Sequence, residues 1–159
     1  MQLCFLRHGE AEAASPALSD EERQLTENGR QDIRAVARAL HRAGARPEVI
    51  LTSPLRRARQ SAEILQEVFG VPVYADARVL CTGCSLGAIE DLLAGRAEQR
   101  IVLVGHVPYC TQIVSQLIGG GNVRMSTAAL ARVDTDRVEP GAGLLVWLLQ
   151  PALFPGSDP

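Results

Sequence analysis

Three short apolar runs, Leu3–Leu6, Val49–Leu51 and Ile101–Val104, each break off into a polar cluster, and helical periodicity fills much of the chain between them. This alternation constrains the fold more than any other feature. A short apolar run bounded by polar or turn residues reads as a strand buried on both faces. Strands that alternate with helices build a mainly parallel sheet, because a parallel pair needs a crossover connection. After a polar loop over Glu10–Gln24, Thr26 reads as the N-cap of a helix whose face is Ile33, Val36, Ala37 and Leu40, closed by Gly44 with Pro47 beyond it. A second helix is expected from about Leu55 to Phe69, with Ala58, Ala62, Leu65 and Phe69 on its face. Val71–Tyr74 reads as an edge strand, since Pro72 cannot donate within a ladder. A short helix near Ile89–Leu93 and another reaching Ile118, stopped by Gly119–Gly121, flank the third apolar run. Two last strands are expected near Ala128–Val133 and Leu144–Leu149, turning around Pro140-Gly141. The expected architecture is α/β, a three-layer αβα sandwich with a mostly parallel sheet. It forms a single domain over residues 1–150, followed by a loose, proline-rich tail over 151–159.

The chain of 159 residues is 47% hydrophobic, enough for a packed core and too apolar for disorder. Aromatics make up only 4%, so Leu, Val, Ile and Ala must build that core. A net charge of −2 argues against nucleic acid as a partner, because no basic excess exists to neutralise phosphates. No run is long enough to span a membrane, and Met1-Gln2-Leu3 leads straight into a strand without a signal-peptide pattern. The expected compartment is the cytoplasm. Cys4 and Cys110 read as small core hydrophobes. Cys81 and Cys84 have C-x-x-C spacing, but no further pair of ligands completes a zinc site, so no metal or cofactor is expected and their role is open.

The polar clusters carry the chemistry. The first run ends in Arg7-His8-Gly9-Glu10, the second in Ser53 followed by Arg56 and Arg57, the third in His106. In open α/β sheets, ligands bind outside the carboxyl ends of the strands. Two histidines and several arginines gathered there suit a tetrahedral anion, since the guanidinium fork matches phosphate oxygens and stays charged. A histidine nucleophile would divide phosphoryl transfer into two displacements, and Gly9 would let the backbone approach the ligand. Other residues have plainer readings. His41, Arg56, Arg59 and Glu21-Glu22 read as solvated side chains, and Ser53 as a helix N-cap.

Leu6-Arg7-His8-Gly9-Glu10, Leu25-Thr26-Glu27-Asn28-Gly29, Ser53-Pro54-Leu55-Arg56-Arg57-Ala58 and Val104-Gly105-His106 stand in an order that resembles the histidine phosphatase superfamily, which includes the cofactor-dependent phosphoglycerate mutases. The resemblance implies a phosphoglycerate mutase-like fold and roles for individual residues. His8 would be the phosphorylated nucleophile, Arg7 and Arg57 the clamp on the phosphoryl oxygens, and His106 a further donor. Gly9 would lie against the substrate, with Glu10 and Arg23 as neighbours of the site.

Two departures narrow the expectation. The stretch between Arg57 and His106 is short, with little length for a lid, so the pocket suits a phosphorylated side chain on another protein. Ester-cleaving members of the superfamily usually carry an acid there, whereas this chain reads Val79-Leu80-Cys81-Thr82-Gly83-Cys84. An alkoxide needs a proton donor to leave. A histidine leaving group needs no strong acid in the site, because its ring can take a proton on the other nitrogen near neutral pH and leave as neutral imidazole. These features resemble the compact SixA-type phosphohistidine phosphatases. The implied activity is removal of phosphate from a phosphohistidine, with a histidine-phosphotransfer-like protein as partner. Action on small phosphate esters or sugar phosphates, a small phosphorylated metabolite then being the partner, is the alternative. A phosphoprotein-binding module without turnover is the second.

Overall fold

The computed structural model describes residues 1–16, 18–81 and 83–153. Its centre is one six-stranded sheet. In chain order the elements are β1 (Gln2–Arg7), α1 (Glu27–Arg42), β2 (Val49–Thr52), α2 (Arg56–Phe69), β3 (Val73–Tyr74), α3 (Leu86–Leu93), β4 (Arg100–Gly105), α4 (Tyr109–Leu117), β5 (Leu130–Thr135) and β6 (Gly143–Leu149). The strand order is β3-β2-β4-β1-β5-β6. The first four strands in that order run parallel, and β5 and β6 are antiparallel additions. The α/β sandwich with a mostly parallel sheet is therefore the fold, and the expected elements occur within a few residues of their expected bounds.

Side-chain alternation along the central strands makes the three layers. Leu3 and Phe5 of β1, Leu51 of β2, and Ile101 and Leu103 of β4 pack toward α3 and α4. Leu6, Ile50, Val102 and Val104 point the other way, against α1 and α2. Both faces are covered, which is why these runs are continuously apolar. Cys110 is buried as expected, whereas Cys4 is only half-buried. Burial pushes the Cys4 and Cys110 thiols up to about 12, so both are inert packing groups. The expected loose tail begins with a 3-10 turn over Pro151–Leu153, in which Pro151 is buried. The remainder of that tail lies outside the described residues, as does Thr82 of the C-x-x-C segment. No helix among the described residues is long and apolar enough to cross a membrane.

The crossovers fix where a ligand site lies. From β1 the chain passes through α1 and α2 on one face of the sheet, and then returns through α3 and α4 on the other. The helices after β1 and β4 thus diverge to opposite faces, although these two strands are neighbours. Such a switch point opens a crevice at the carboxyl ends of the strands. The register aligns those ends: Leu6 pairs with Val104, Arg7 with Gly105, and Thr52 with Val104. His8, Ser53 and His106 are the first residues beyond the ends of β1, β2 and β4; the register sets His8 level with His106, and Ser53 level with Arg7 and Gly105.

The start of α1 holds this edge in place. Thr26 caps α1, its Oγ1 accepting from Gly29 N–H at 3.0 Å. A Cβ on Gly29 would overlap the Glu10 backbone, and one on Gly9 would lie 2.6 Å from Gly29 O. The two glycines let the helix press directly on the segment after His8. Gly29→Ala is expected to lower unfolding free energy by ~2–3 kcal/mol, because backbone cannot yield as a side chain can. Gly87 has open space around it on α3. Gly87→Ala is expected to stabilise by ~0.5–1 kcal/mol through helix propensity. Urea denaturation of both variants checks the contrast.

Candidate active site

His8 and His106 meet at the switch point, with ring centroids 4.9 Å apart. Backbone bonds set their positions: His8 N–H donates to Gly105 O at 3.1 Å, and Ala128 N–H donates to His8 O at 3.1 Å. The His8 ring stands with Nδ1 at 2.7 Å from Gly9 O. A carbonyl only accepts, so Nδ1 carries the proton and Nε2 keeps its lone pair. That lone pair faces Arg57, whose Nε–H lies 3.3 Å from His8 Nε2.

Helix geometry separates the two adjacent arginines of α2. Arg57 is 6% exposed and turns into the site, while Arg56 points to solvent with Arg59. The remaining Arg57 donors reach one residue: Nη1 donates to Asp20 O at 2.6 Å and Nη2 to Asp20 Oδ2 at 3.0 Å. Asp20 also accepts from Arg23 Nη1 at 2.8 Å. The loop after β1 therefore brings one carboxylate across two arginines. Arg23, Arg57 and burial act on Asp20 together, and the arginine hydrogen bonds hold its carboxyl below the usual range. Nothing in the sequence marked Asp20 beyond its three-residue spacing from Arg23.

Arg7 is the last residue of β1, directly before His8. Its Nη1 donates to Met125 O at 2.9 Å, but its buried Nε has no partner. His106 is 7% exposed; its Nε2 lies 2.9 Å from Ser53 Oγ, and its Nδ1 has no partner. Among the described residues these two atoms are the buried side-chain nitrogens or oxygens left unpaired. A buried polar group left unsatisfied costs about 1–3 kcal/mol, so two such nitrogens at the ends of the adjacent strands β1 and β4 point to a missing partner there.

Other expected residues sit differently. Glu10 turns away, its Oε2 accepting from Thr26 Oγ1 at 2.6 Å beside the start of α1. Gly9 packs against Gly29, and its N–H donates to Ser61 Oγ at 3.2 Å, which gives that glycine a packing reason. Ser53 is not the N-cap of α2, a position that Leu55 occupies without a side-chain cap bond; its Oγ accepts from Leu55 N–H at 3.2 Å ahead of the helix. It also touches His106 and Cys81, a pairing across three elements that local spacing does not reveal. His41 is exposed, as expected.

Burial lowers both histidine pKa values. His8 falls to about 4, with Arg57, Arg7 and Arg23 adding to the effect and the Gly9 carbonyl opposing it. His106 falls to about 3, through burial and then His8 and Arg57. Both rings are neutral at pH 7. In the unfolded chain each would titrate near 6.5. Below that value the unfolded state binds more protons than the folded one, so stability falls as pH drops. Keeping these rings neutral is expected to cost nothing above pH 6.5 and to lower stability progressively from about 6.5 down to about 3. Urea midpoints from pH 8 to 4 check it, and His8→Asn/His106→Asn is expected to flatten the slope.

The model of the histidine phosphatase superfamily (branch 1) matches residues 3–79. Phosphohistidine phosphatase SixA of Escherichia coli K12 is 31% identical over 156 residues, spanning 95% of this chain and 94% of the relative. A solved structure of the protein histidine phosphatase SixA complexed with tungstate superposes with a TM-score of 0.85 at 27% identity, covering 96% of this chain and 99% of that one. A mycobacterial glucosyl-3-phosphoglycerate phosphatase shares the fold more distantly, with a TM-score of 0.69 at 21% identity over 91% and 96% of the two chains. The ordered motifs and these likenesses lead to one assignment: the chain belongs to the histidine phosphatase superfamily.

Proposed function

We propose that the protein hydrolyses phosphohistidine on another protein, a histidine-phosphotransfer-like domain, through a phosphorylated His8. The observation that carries this reading is the pair of buried nitrogens without partners, Arg7 Nε and His106 Nδ1, together with a histidine whose Nε2 lone pair faces Arg57. Tungstate and a phosphoryl group are both tetrahedral oxyanions, and the tungstate-bound SixA structure is one that this chain resembles over nearly its whole length.

His8 Nε2 attacks phosphorus, and the bond from phosphorus to the substrate imidazole breaks. The electron pair stays on the departing nitrogen, and a proton on the other ring nitrogen lets the substrate leave as neutral imidazole. Water then attacks the phosphoryl group on His8, one of its protons is released, and orthophosphate departs with the His8 lone pair restored. Arg7, Arg57 and His106 hold the three equatorial oxygens, where charge is spread during transfer. Arg57 must exchange contacts with Asp20 or His8 for contacts with the phosphoryl group.

The choice of an N–P over an O–P bond rests on the proton inventory. The carboxylate at the site, Asp20, is held ionised by Arg23 and Arg57 and is a poor acid. An alkoxide would find no proton there, whereas a departing imidazole already carries the one it needs, taken up from solvent on its other ring nitrogen. The Arg7 and Arg57 guanidinium groups supply the positive field, and among the described residues no group of three or more His, Cys, Asp or Glu is placed to hold a metal ion. Activity is expected to persist in EDTA. The free thiols of Cys4, Cys81, Cys84 and Cys110 fit a reducing compartment, and we place the protein in the cytoplasm.

Comparing kcat/KM on a phosphohistidine-bearing phosphotransfer domain with a panel of phosphate esters, in EDTA, tests the reading. A preference for the protein substrate of at least ~100-fold, about 2.7 kcal/mol of differential transition-state binding, is expected. A preference for any ester would overturn it.

A further inference from the structure

Ser53 Oγ has three polar neighbours: Leu55 N at 3.2 Å, His106 Nε2 at 2.9 Å and Cys81 Sγ at 3.1 Å. A hydroxyl offers one hydrogen and two lone pairs. The Leu55 N–H can only donate, so it takes one lone pair. One hydrogen and one lone pair remain for His106 and Cys81, and only two proton orders fit a neutral histidine. In the first, Ser53 donates to His106 Nε2 and Cys81 S–H donates to Ser53. In the second, His106 Nε2–H donates to Ser53 and Ser53 donates to Cys81 Sγ.

The two orders differ at the far side of the ring. In the first, the His106 proton sits on Nδ1, the buried atom without a partner. In the second, Nδ1 presents a lone pair. Phosphoryl oxygens only accept, so a lone pair there would repel the group that the site is built to hold. Burial keeps His106 neutral near pH 7, so it cannot hold a proton on both nitrogens.

We propose that Ser53, oriented by the Cys81 thiol, is a positioning residue that fixes the His106 proton on Nδ1 and so aims it at the phosphoryl group. This rests on the reading of His106 as a hydrogen-bond donor to the phosphoryl group. It gives the half-buried Cys81 a use that needs neither metal nor disulfide, and it turns an apparent helix cap into part of the reacting site. The hydrogen-bond chain runs Cys81 to Ser53 to His106 to phosphoryl oxygen, each group donating to the next.

Nitrogen-15 NMR of the resting protein reads the tautomer without turnover. The expected result is a protonated Nδ1 on His106 in the wild type and a mixture of tautomers in Ser53→Ala. A protonated Nε2 in the wild type would overturn the proposal. On a phosphohistidine protein, Ser53→Ala is expected to lower kcat about tenfold with KM nearly unchanged, as for loss of one neutral hydrogen bond. In a His106→Ala background the same change is expected to do nothing further. Cys81→Val, which removes the donor, is expected to lose about threefold, and Cys81→Ser to restore it. If Ser53→Ala still slows the His106→Ala variant, or if Cys81→Ser is as slow as Cys81→Val, the relay is wrong. A His106→Ala variant with full activity would instead sink the reading of His106 as donor, whatever the NMR shows.

Discussion

His8→Ala is expected to lower phosphate release by at least ~10³-fold, since removing a nucleophile removes the covalent route and leaves only binding and electrostatics. The argument comes from geometry. Gly9 O holds the Nδ1 proton at 2.7 Å, so Nε2 is the nitrogen that carries the lone pair, and burial keeps it unprotonated down to about pH 4. An alanine leaves the backbone bond from His8 N to Gly105 O intact, so the fold is expected to survive. The loss should therefore appear in kcat, with phosphoprotein affinity retained. Single-turnover measurements on wild type and His8→Ala, with circular dichroism as a check on folding, give the comparison.

Arg57→Ala is expected to cost ~10²–10³-fold in kcat/KM, while Arg56→Ala stays within twofold of wild type. The residues are adjacent in sequence and differ in where the helix points them. Arg57 is buried at 6% exposure and donates through Nε to His8, whereas Arg56 faces solvent. Arg57→Lys is not expected to rescue, because an ammonium cannot reproduce a planar fork aimed at two oxygens. Steady-state kinetics on the four proteins, on one phosphohistidine substrate, decide the matter. Equal losses at positions 56 and 57 would mean a diffuse field instead of a directed contact.

Much of the fold follows from period and run length. Val49–Leu51 and Ile101–Val104 are too short and too apolar to be anything but strands covered on both faces, and Ile33, Val36, Ala37 and Leu40 mark one helix face. The sheet order was not legible, since nothing local tells β4 to insert between β2 and β1. That insertion is what brings His106 against His8. The choice of Arg57 over Arg56 was visible only through its motif, and burial supplies the physical reason. Asp20 escaped notice because an exposed loop carboxylate looks like any solvated charge until the loop folds over the arginines. Ser53 and Cys81 escaped because their partners lie 53 and 28 residues away along the chain. Gly9 was legible as a residue that must be small, but the neighbour that demands it is Gly29.

The central claim is that His8 carries the phosphoryl group between substrate and water. Rapid mixing with a labelled phosphohistidine protein, quenching in alkali to preserve N–P bonds, and peptide mapping measure it most directly. The account predicts a transient, acid-labile label on His8 that forms and decays at rates consistent with turnover, and that is absent from His8→Ala. Phosphate release at the full rate with no label on His8, or with label on another residue, would contradict it.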